Sequence, residues 1–262
     1  MSSSVGTSAP AKLRNGLSGF GWLLVLPVAI FIIWAVTAAA MDSVVFPSPW
    51  ESLQRLTEDL ARPGYRESIW STVQLLLLGW LLAVAVGTLV GFGLGLSSFW
   101  SSVFSTPLFA LYSIPKVTLY PVFLLFLGIG DSSRLVFAFF HGVFPIALLV
   151  MAATQAMDKN LLKLAKVLVM PWHVRLRTIL IPALLPAIVT ALRIAFGLTL
   201  LGLILAEMFS AESGLGRELV SNVANVRIDR IAGQVVFIAV IAVVPGFALR
   251  WMENRVTKRY GT

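Results

Sequence analysis

Three ionisable side chains, Lys116, Arg193 and Glu207, stand inside stretches of sequence that are otherwise strongly apolar. A charge at the centre of a bilayer costs at least about 2.5–3.5 kcal/mol, and such residues usually face a bundle interior or water. An ammonium or guanidinium in that setting offers donors and positive potential to a sulfonate, nitrate or carboxylate. Lys116 and Arg193 are therefore candidates for lining an anion path, and Pro115, Pro121 and Glu207 are grouped with them as candidate path residues. The competing reading is that each pairs with helix carbonyls or with an acid on another segment. Glu207 lies about four turns beyond Arg193, on the order of 21 Å at 1.5 Å per residue, so the two cannot pair directly. A structural salt bridge near the outer interface is expected of Glu207 rather than a proton relay.

Enzymatic chemistry is not written in the chain. GxxxxGK[ST] does not occur, so no loop-plus-lysine cradle for nucleotide phosphates is expected. GxSxG and HExxH are missing too, and there are 0 cysteines and only 2 histidines. No catalytic, cofactor-binding or metal-ligating residue is assigned. Of the histidines, His141 is expected to be a hydrogen-bonded packing residue.

The elements that must position these charges follow from composition. The 262 residues are 58% hydrophobic and only 12% charged, with a mean hydropathy of +0.90, far from a soluble domain. No Asp, Glu, Lys or Arg occurs in residues 15–41, 68–115, 135–157 or 231–249, each enough to cross a hydrocarbon core as a helix of about 20 residues. Since lipid-exposed backbone must pair within its own segment, the expected fold is all-α, a polytopic membrane bundle of about six helices. The spans are read near residues 19–40, 71–96, 103–127, 134–157, 179–209 and 231–251. Basic residues before the first stretch resemble a signal peptide, but its length and the lack of a convincing cleavage site favour a retained span.

Six spans put both termini on one side. That side carries eleven Lys or Arg against two acids, and the other seven against nine, so both termini and the loop around 157–178 are expected in the cytoplasm. The net charge of +8 is then a topology signal, and no nucleic-acid partner is expected. Residues 1–18 and 253–262 read as cytoplasmic tails around a single transmembrane domain, 19–252. Gly87, Gly91 and Gly95, spaced four apart, predict close packing of the second span on another helix. Pro115 and Pro121 break the third; irregular backbone at membrane depth is tolerated only where buried or wet, so residues 114–121 are expected to form a gate.

The loop between spans 4 and 5 holds a short amphipathic segment. Asp158 or Asn160 can cap it, Leu161, Leu164, Ala165 and Leu168 share a face, and Pro171 ends it. Such an element suits docking to a soluble partner, and equally an interfacial helix on anionic lipid. It resembles the coupling loop of ABC importer permeases, in which EAA, three residues, Gly, nine residues and Ile-x-Leu-Pro follow in order. Registered on Pro182, the match holds at Ala165, Ile179 and Pro182, while Lys163 replaces Glu, Leu164 replaces Ala and Val169 replaces Gly. The likeness extends through Phe46-Pro-Ser-Pro49, Ile114-Pro-Lys116, Pro121-Val-Phe123, Gly128-Ile-Gly130, Phe144-Pro145, Arg193, Ala206-Glu207 and Ser213-Gly-Leu-Gly216. Their order points to the permeases handling nitrate, sulfonates and taurine.

The resemblance implies a transmembrane permease of a binding-protein-dependent ABC importer in the bacterial inner membrane. It would form the path for a small anionic solute. Lys163, Leu164, Ala165, Leu168, Val169, Met170, Pro171, Ile179 and Pro182 would couple it to ABC ATPase subunits, which carry ATP and Mg. The other implied partners are an extracytoplasmic binding protein and a second permease chain, the same or different. An ion-coupled secondary transporter using Lys116, Arg193 and Glu207 is the alternative that needs no ATPase.

Overall fold

A computed structural model describes residues 16–41, 46–158 and 167–260, with side chains from residue 25 onward. The described residues form nine principal helices, α1 (Gly16–Met41), α2 (Pro49–Ala61), α3 (Pro63–Gly95), α4 (Ser98–Ser113), α5 (Tyr120–Leu127), α6 (Asp131–Gln155), α7 (Trp172–Ser210), α8 (Leu215–Ala224) and α9 (Ile228–Tyr260). Four of them, α3, α6, α7 and α9, are long and apolar enough to cross a membrane, and the bent pair α4 and α5 would make a fifth.

The centre of the bundle is α6, sandwiched between α3 and α7. What lets α3 approach it is a stripe of small residues: Gly79, Ala83, Gly87, Gly91 and Gly95 are all buried along one face. A Cβ at Gly87 would stand 2.8 Å from both the Val143 carbonyl and the Ile146 Cβ. The glycine spacing in the sequence therefore serves a contact within the chain, between α3 and α6. His141 of α6 is buried with Nδ1 3.0 Å from the Phe137 carbonyl, as a packing residue.

Two amphipathic helices at one end of the bundle were not expected. Ser48 caps α2 through a reciprocal capping box with Glu51 and is followed by Pro49, so Phe46-Pro-Ser-Pro49 is a helix-start signal. Charged side chains knit α2 to its neighbours: Arg230 pairs with Asp59, Arg55 with Asp229 at 2.8 Å, and Arg62 with Glu218 at 3.6 Å. The third span is not one straight crossing, because α4 and the segment Lys116–Leu127 meet at 86°. The last helix runs unbroken to Tyr260, so residues 253–260, read as a tail, extend it. Of the coupling segment, residues 159–166, including Lys163, Leu164 and Ala165, lie outside the described residues.

Candidate translocation site

The bend between α4 and α5 begins where Pro115 leaves the helix, with φ −61° and ψ 88°. Proline cannot continue the hydrogen-bond ladder of the preceding turn, and the chain passes through a 3₁₀ turn, Lys116–Leu119, before Pro121 helps to start α5. Gly128 (φ 75°) and Gly130 (φ 145°) turn it into α6, adopting left-handed conformations that suit a residue without Cβ.

Lys116 is half-buried at this corner. Its Nζ donates to the Tyr112 carbonyl at 2.8 Å and stands 4.8 Å from the centre of the Tyr112 ring and 6.0 Å from that of Phe144. No carboxylate among the described residues forms an ion pair with it. The two aromatic faces stabilise the ammonium by cation–π attraction of about 0.5–2 kcal/mol, which holds it in place without cancelling its charge. No local pattern in the sequence marks Tyr112 and Phe144 as companions of Lys116: Phe144 lies 28 positions on, in α6.

The corner is pinned at its far side by Tyr120, whose buried ring packs at 4.8 Å on Phe137 and whose hydroxyl lies 2.5 Å from Ser210 Oγ. That bond reaches the end of α7, where Glu207 is fully buried. The expected salt bridge of Glu207 is absent among the described residues. Its Oε1 instead accepts from the Thr72 hydroxyl at 2.8 Å and its Oε2 from the Gly216 amide at 2.9 Å, while Thr72 Oγ1 accepts from the Leu215 amide at 2.9 Å. A Cβ at Gly216 would come within 2.7 Å of the Glu207 Cβ, and Gly214 sits over the carboxylate at φ 118°. Ser213-Gly-Leu-Gly216 is thus shaped to fold back over a carboxylate, and hydrogen bonds from two groups, the Thr72 hydroxyl and the Gly216 amide, stand in place of the ion pair. Arg134 donates to the Ser213 carbonyl at 2.9 Å, tying α6 into the same junction.

Arg193 belongs to a different place. Its Nε donates to Glu253 Oε2 at 2.8 Å, and the Thr190 hydroxyl donates to Glu253 Oε1 at 2.7 Å. The partner sits just past the charge-free run of α9, so this arginine is met near the end of that apolar stretch rather than at mid-depth. Among the described residues, no hydrogen bond or ion pair joins it to the bend. The structure therefore brings Pro115, Lys116 and Pro121 together, links them through Tyr120 and Ser210 to the region of Glu207, and leaves Arg193 apart and neutralised.

On the coupling side, Leu168 and Val169 are exposed, Val169 with 84% of its surface accessible. Val169 has φ 48°, a left-handed backbone that is rare for a β-branched residue. Glycine in the matching pattern would meet that requirement without strain. Ile179 lies within a π-helical turn, Leu176–Leu180, which ends one residue short of Pro182. A proline ring clashes with the carbonyl four residues back, and the widened turn relieves it.

Three comparisons bear on this arrangement. The SsuC protein of Bacillus subtilis (strain 168), named as a permease for aliphatic sulfonates transport, is 24% identical over 96% of this chain and 93% of its own. The taurine transport system permease protein TauC of Escherichia coli (strain K12) is 26% identical over 90% of this chain and 88% of its own. In fold, an inward-facing structure of the MetNI methionine ABC transporter superposes with a TM-score of 0.63, covering 73% of this chain and 95% of that one at 18% identity. The protein is a multi-pass membrane permease, a transport component of an ABC importer. Residues 77–262 match the binding-protein-dependent transport system inner membrane component family, and the chain belongs to it.

Proposed function

We propose that the chain forms half of the path by which an ATP-driven importer carries a small anion, a sulfonate, taurine, nitrate or a related solute, across the bacterial inner membrane. The observation that carries this reading is Lys116, a half-buried cation at a broken helix with aromatic faces around it and no carboxylate among the described residues paired to it. An anion losing water at such a corner meets a charge that costs nothing further to expose. The names of the SsuC and TauC relatives, both concerned with sulfonated solutes, agree with that chemistry. With α1 as a sixth span, both termini and the coupling loop lie in the cytoplasm, as the distribution of Lys and Arg supports.

Selectivity then begins with an extracytoplasmic binding protein, and ATP with Mg is hydrolysed on separate ABC ATPase subunits that seat on the segment from about Asp158 to Pro171. A second permease chain completes the path. Lys163 and Val169 depart from the coupling pattern, which supports a heterodimer whose other permease keeps it. Recovery of one permease species alone with the ATPase would refute the heterodimer.

The test is uptake into liposomes by the reconstituted complex. Losing a charge-assisted contact of about 1.5–3 kcal/mol corresponds to roughly 10- to 100-fold, so Lys116→Gln is expected to lower anion uptake by at least about tenfold while Lys116→Arg retains most of it. Basal ATP hydrolysis should be unchanged in both. Full uptake by Lys116→Gln would refute the role of the lysine. Uptake that persists without the ATPase would refute the importer reading in favour of ion coupling.

A further inference from the structure

At the end of the bundle that carries the chain's C-terminal turns, a cleft of about 540 Å³ opens between α7 and α9, lined by Arg193, Arg250, Glu253, Asn254, Thr257 and Lys258. Arg250, Asn254, Thr257 and Lys258 follow at intervals of four, three and one, so they share one face of α9. Arg193 faces them from α7. The lining holds three cations and one carboxylate.

That carboxylate is already committed. Both oxygens of Glu253 accept from α7, one from the Thr190 hydroxyl and one from Arg193 Nε. The arginine is held through Nε, and its two terminal nitrogens make no hydrogen bond among the described residues. Arg250 and Lys258 likewise make no ion pair among them. The cleft thus keeps an excess of two positive charges, with amide and hydroxyl donors from Asn254 and Thr257 between them.

Its level in the membrane is marked independently. The charge-free run of α9 ends at Leu249, one residue before Arg250. Trp251, with 58% of its surface exposed, carries the Arg255 guanidinium 3.7 Å above its ring centre. An exposed tryptophan with a stacked arginine at the end of an apolar helix is the arrangement found at the headgroup layer. A basic cleft between two spans at that depth matches the phosphate of an anionic phospholipid.

We infer that this cleft binds the headgroup phosphate of an anionic phospholipid, which bridges α9 to α7 through Arg193, Arg250 and Lys258. Bound there, the lipid fastens the last helix to the helix that carries the coupling loop, so the protein would sense membrane composition at a site separate from the transport path.

The test uses the purified, delipidated complex in maltoside detergent, titrated with phosphatidylglycerol, phosphatidylcholine or inorganic phosphate while thermal unfolding is followed. Phosphatidylglycerol is expected to raise the midpoint saturably and phosphatidylcholine to leave it unmoved. At about 1 kcal/mol per basic residue near an anionic surface, Arg250→Gln with Lys258→Gln should weaken the apparent affinity about 30-fold. Arg255→Gln, outside the cleft, should keep the parent affinity and controls for general loss of stability. Native mass spectrometry of the same samples should show phosphatidylglycerol retained by the parent and lost by the double variant. The proposal is overturned if the double variant is stabilised as well as the parent, or if phosphatidylcholine works equally. Inorganic phosphate matching the lipid at equal concentration would overturn the lipid assignment in favour of a soluble anion.

Discussion

Gly87 offers the sharpest check on the packing of α3 against α6. In Gly87→Ala the new Cβ would lie 2.8 Å from both the Val143 carbonyl oxygen and the Ile146 Cβ, and 2.9 Å from the Ile146 Cγ2. Carbon atoms pack best at about 3.5–4.0 Å, so the two helices must part by roughly 0.7 Å or more. Swinging a side chain aside does not suffice, because one obstacle is backbone and Ile146 is itself buried. Overpacking of this kind costs about 1–3 kcal/mol, offset by up to about 1 kcal/mol from replacing glycine in a helix. A net loss of about 1–2 kcal/mol would lower the unfolding midpoint by about 2–8 °C at the usual scaling for 150–250 residues. Gly93 is the internal control: it lies two residues from Gly91, and a Cβ there meets nothing within 4 Å, so Gly93→Ala should unfold at the parent temperature or slightly above. The assay is thermal unfolding in detergent read by fluorescence-detected size exclusion. A Gly87→Ala protein as stable as the parent, or a Gly93→Ala protein equally damaged, would refute the claim that this stripe sets the helix separation.

Two further substitutions probe the junction and the coupling side. Thr72→Val keeps the shape but removes a hydroxyl that donates to Glu207 and accepts from the Leu215 amide; each orphaned group costs about 1–3 kcal/mol. Amide exchange across residues 213–218 should accelerate about tenfold or more, and unchanged exchange there would show that Thr72 does not hold the loop. For Val169→Gly, leaving a left-handed conformation that costs an L-residue about 1–2 kcal/mol, less about 0.5–1 kcal/mol for added chain freedom, predicts a gain of about 0.5–1 kcal/mol. Stability measured alongside Val169→Ala decides this: glycine should win, and equality of the two would remove the strain argument.

The spans of α3, α6, α7 and α9 were readable because charge-free runs of that length have few alternatives. The break at Pro115 and Pro121 was equally legible, but its 86° angle depends on what α6 and Tyr120 do to the emerging chain. Local signals for α2 existed in Ser48 and Glu51, a reciprocal cap, yet its balance of charged and apolar residues gave no membrane signature to prompt the search. Partners far apart in sequence are harder still. Arg193 and Glu253 are 60 positions apart, and Glu253 looked like part of a tail because charge resumes at Arg250; nothing from Arg250 to Tyr260 breaks a helix, so the span's helix simply continues. Glu207 is hard to assign for a related reason: a carboxylate among apolar residues suggests a cation, whereas this one is satisfied by the Thr72 hydroxyl of α3 and by the Gly216 amide of a loop that two glycines let approach.

The fates of the three intramembrane charges can be compared on common terms. Burial penalises each, and each is compensated by whatever its surroundings supply. Arg193 receives a carboxylate, and the pair contributes no net field. Glu207 is bound in hydrogen bonds whose removal would loosen α8, a role satisfied by geometry rather than by charge movement. Lys116 receives one carbonyl and two ring faces, partners that hold an ammonium through dipoles and quadrupoles but leave its unit charge uncancelled. A compact ammonium with three donors can give up one such partner to a passing anion and regain it afterwards. The guanidinium of Arg193 holds Glu253 through Nε, so an anion that reaches its terminal nitrogens meets a charge already offset by a carboxylate. Charge neutrality, more than depth in the membrane, is therefore what separates Lys116 from the other two, and it is the reason the proposed anion contact is put at the broken helix instead of at the arginine.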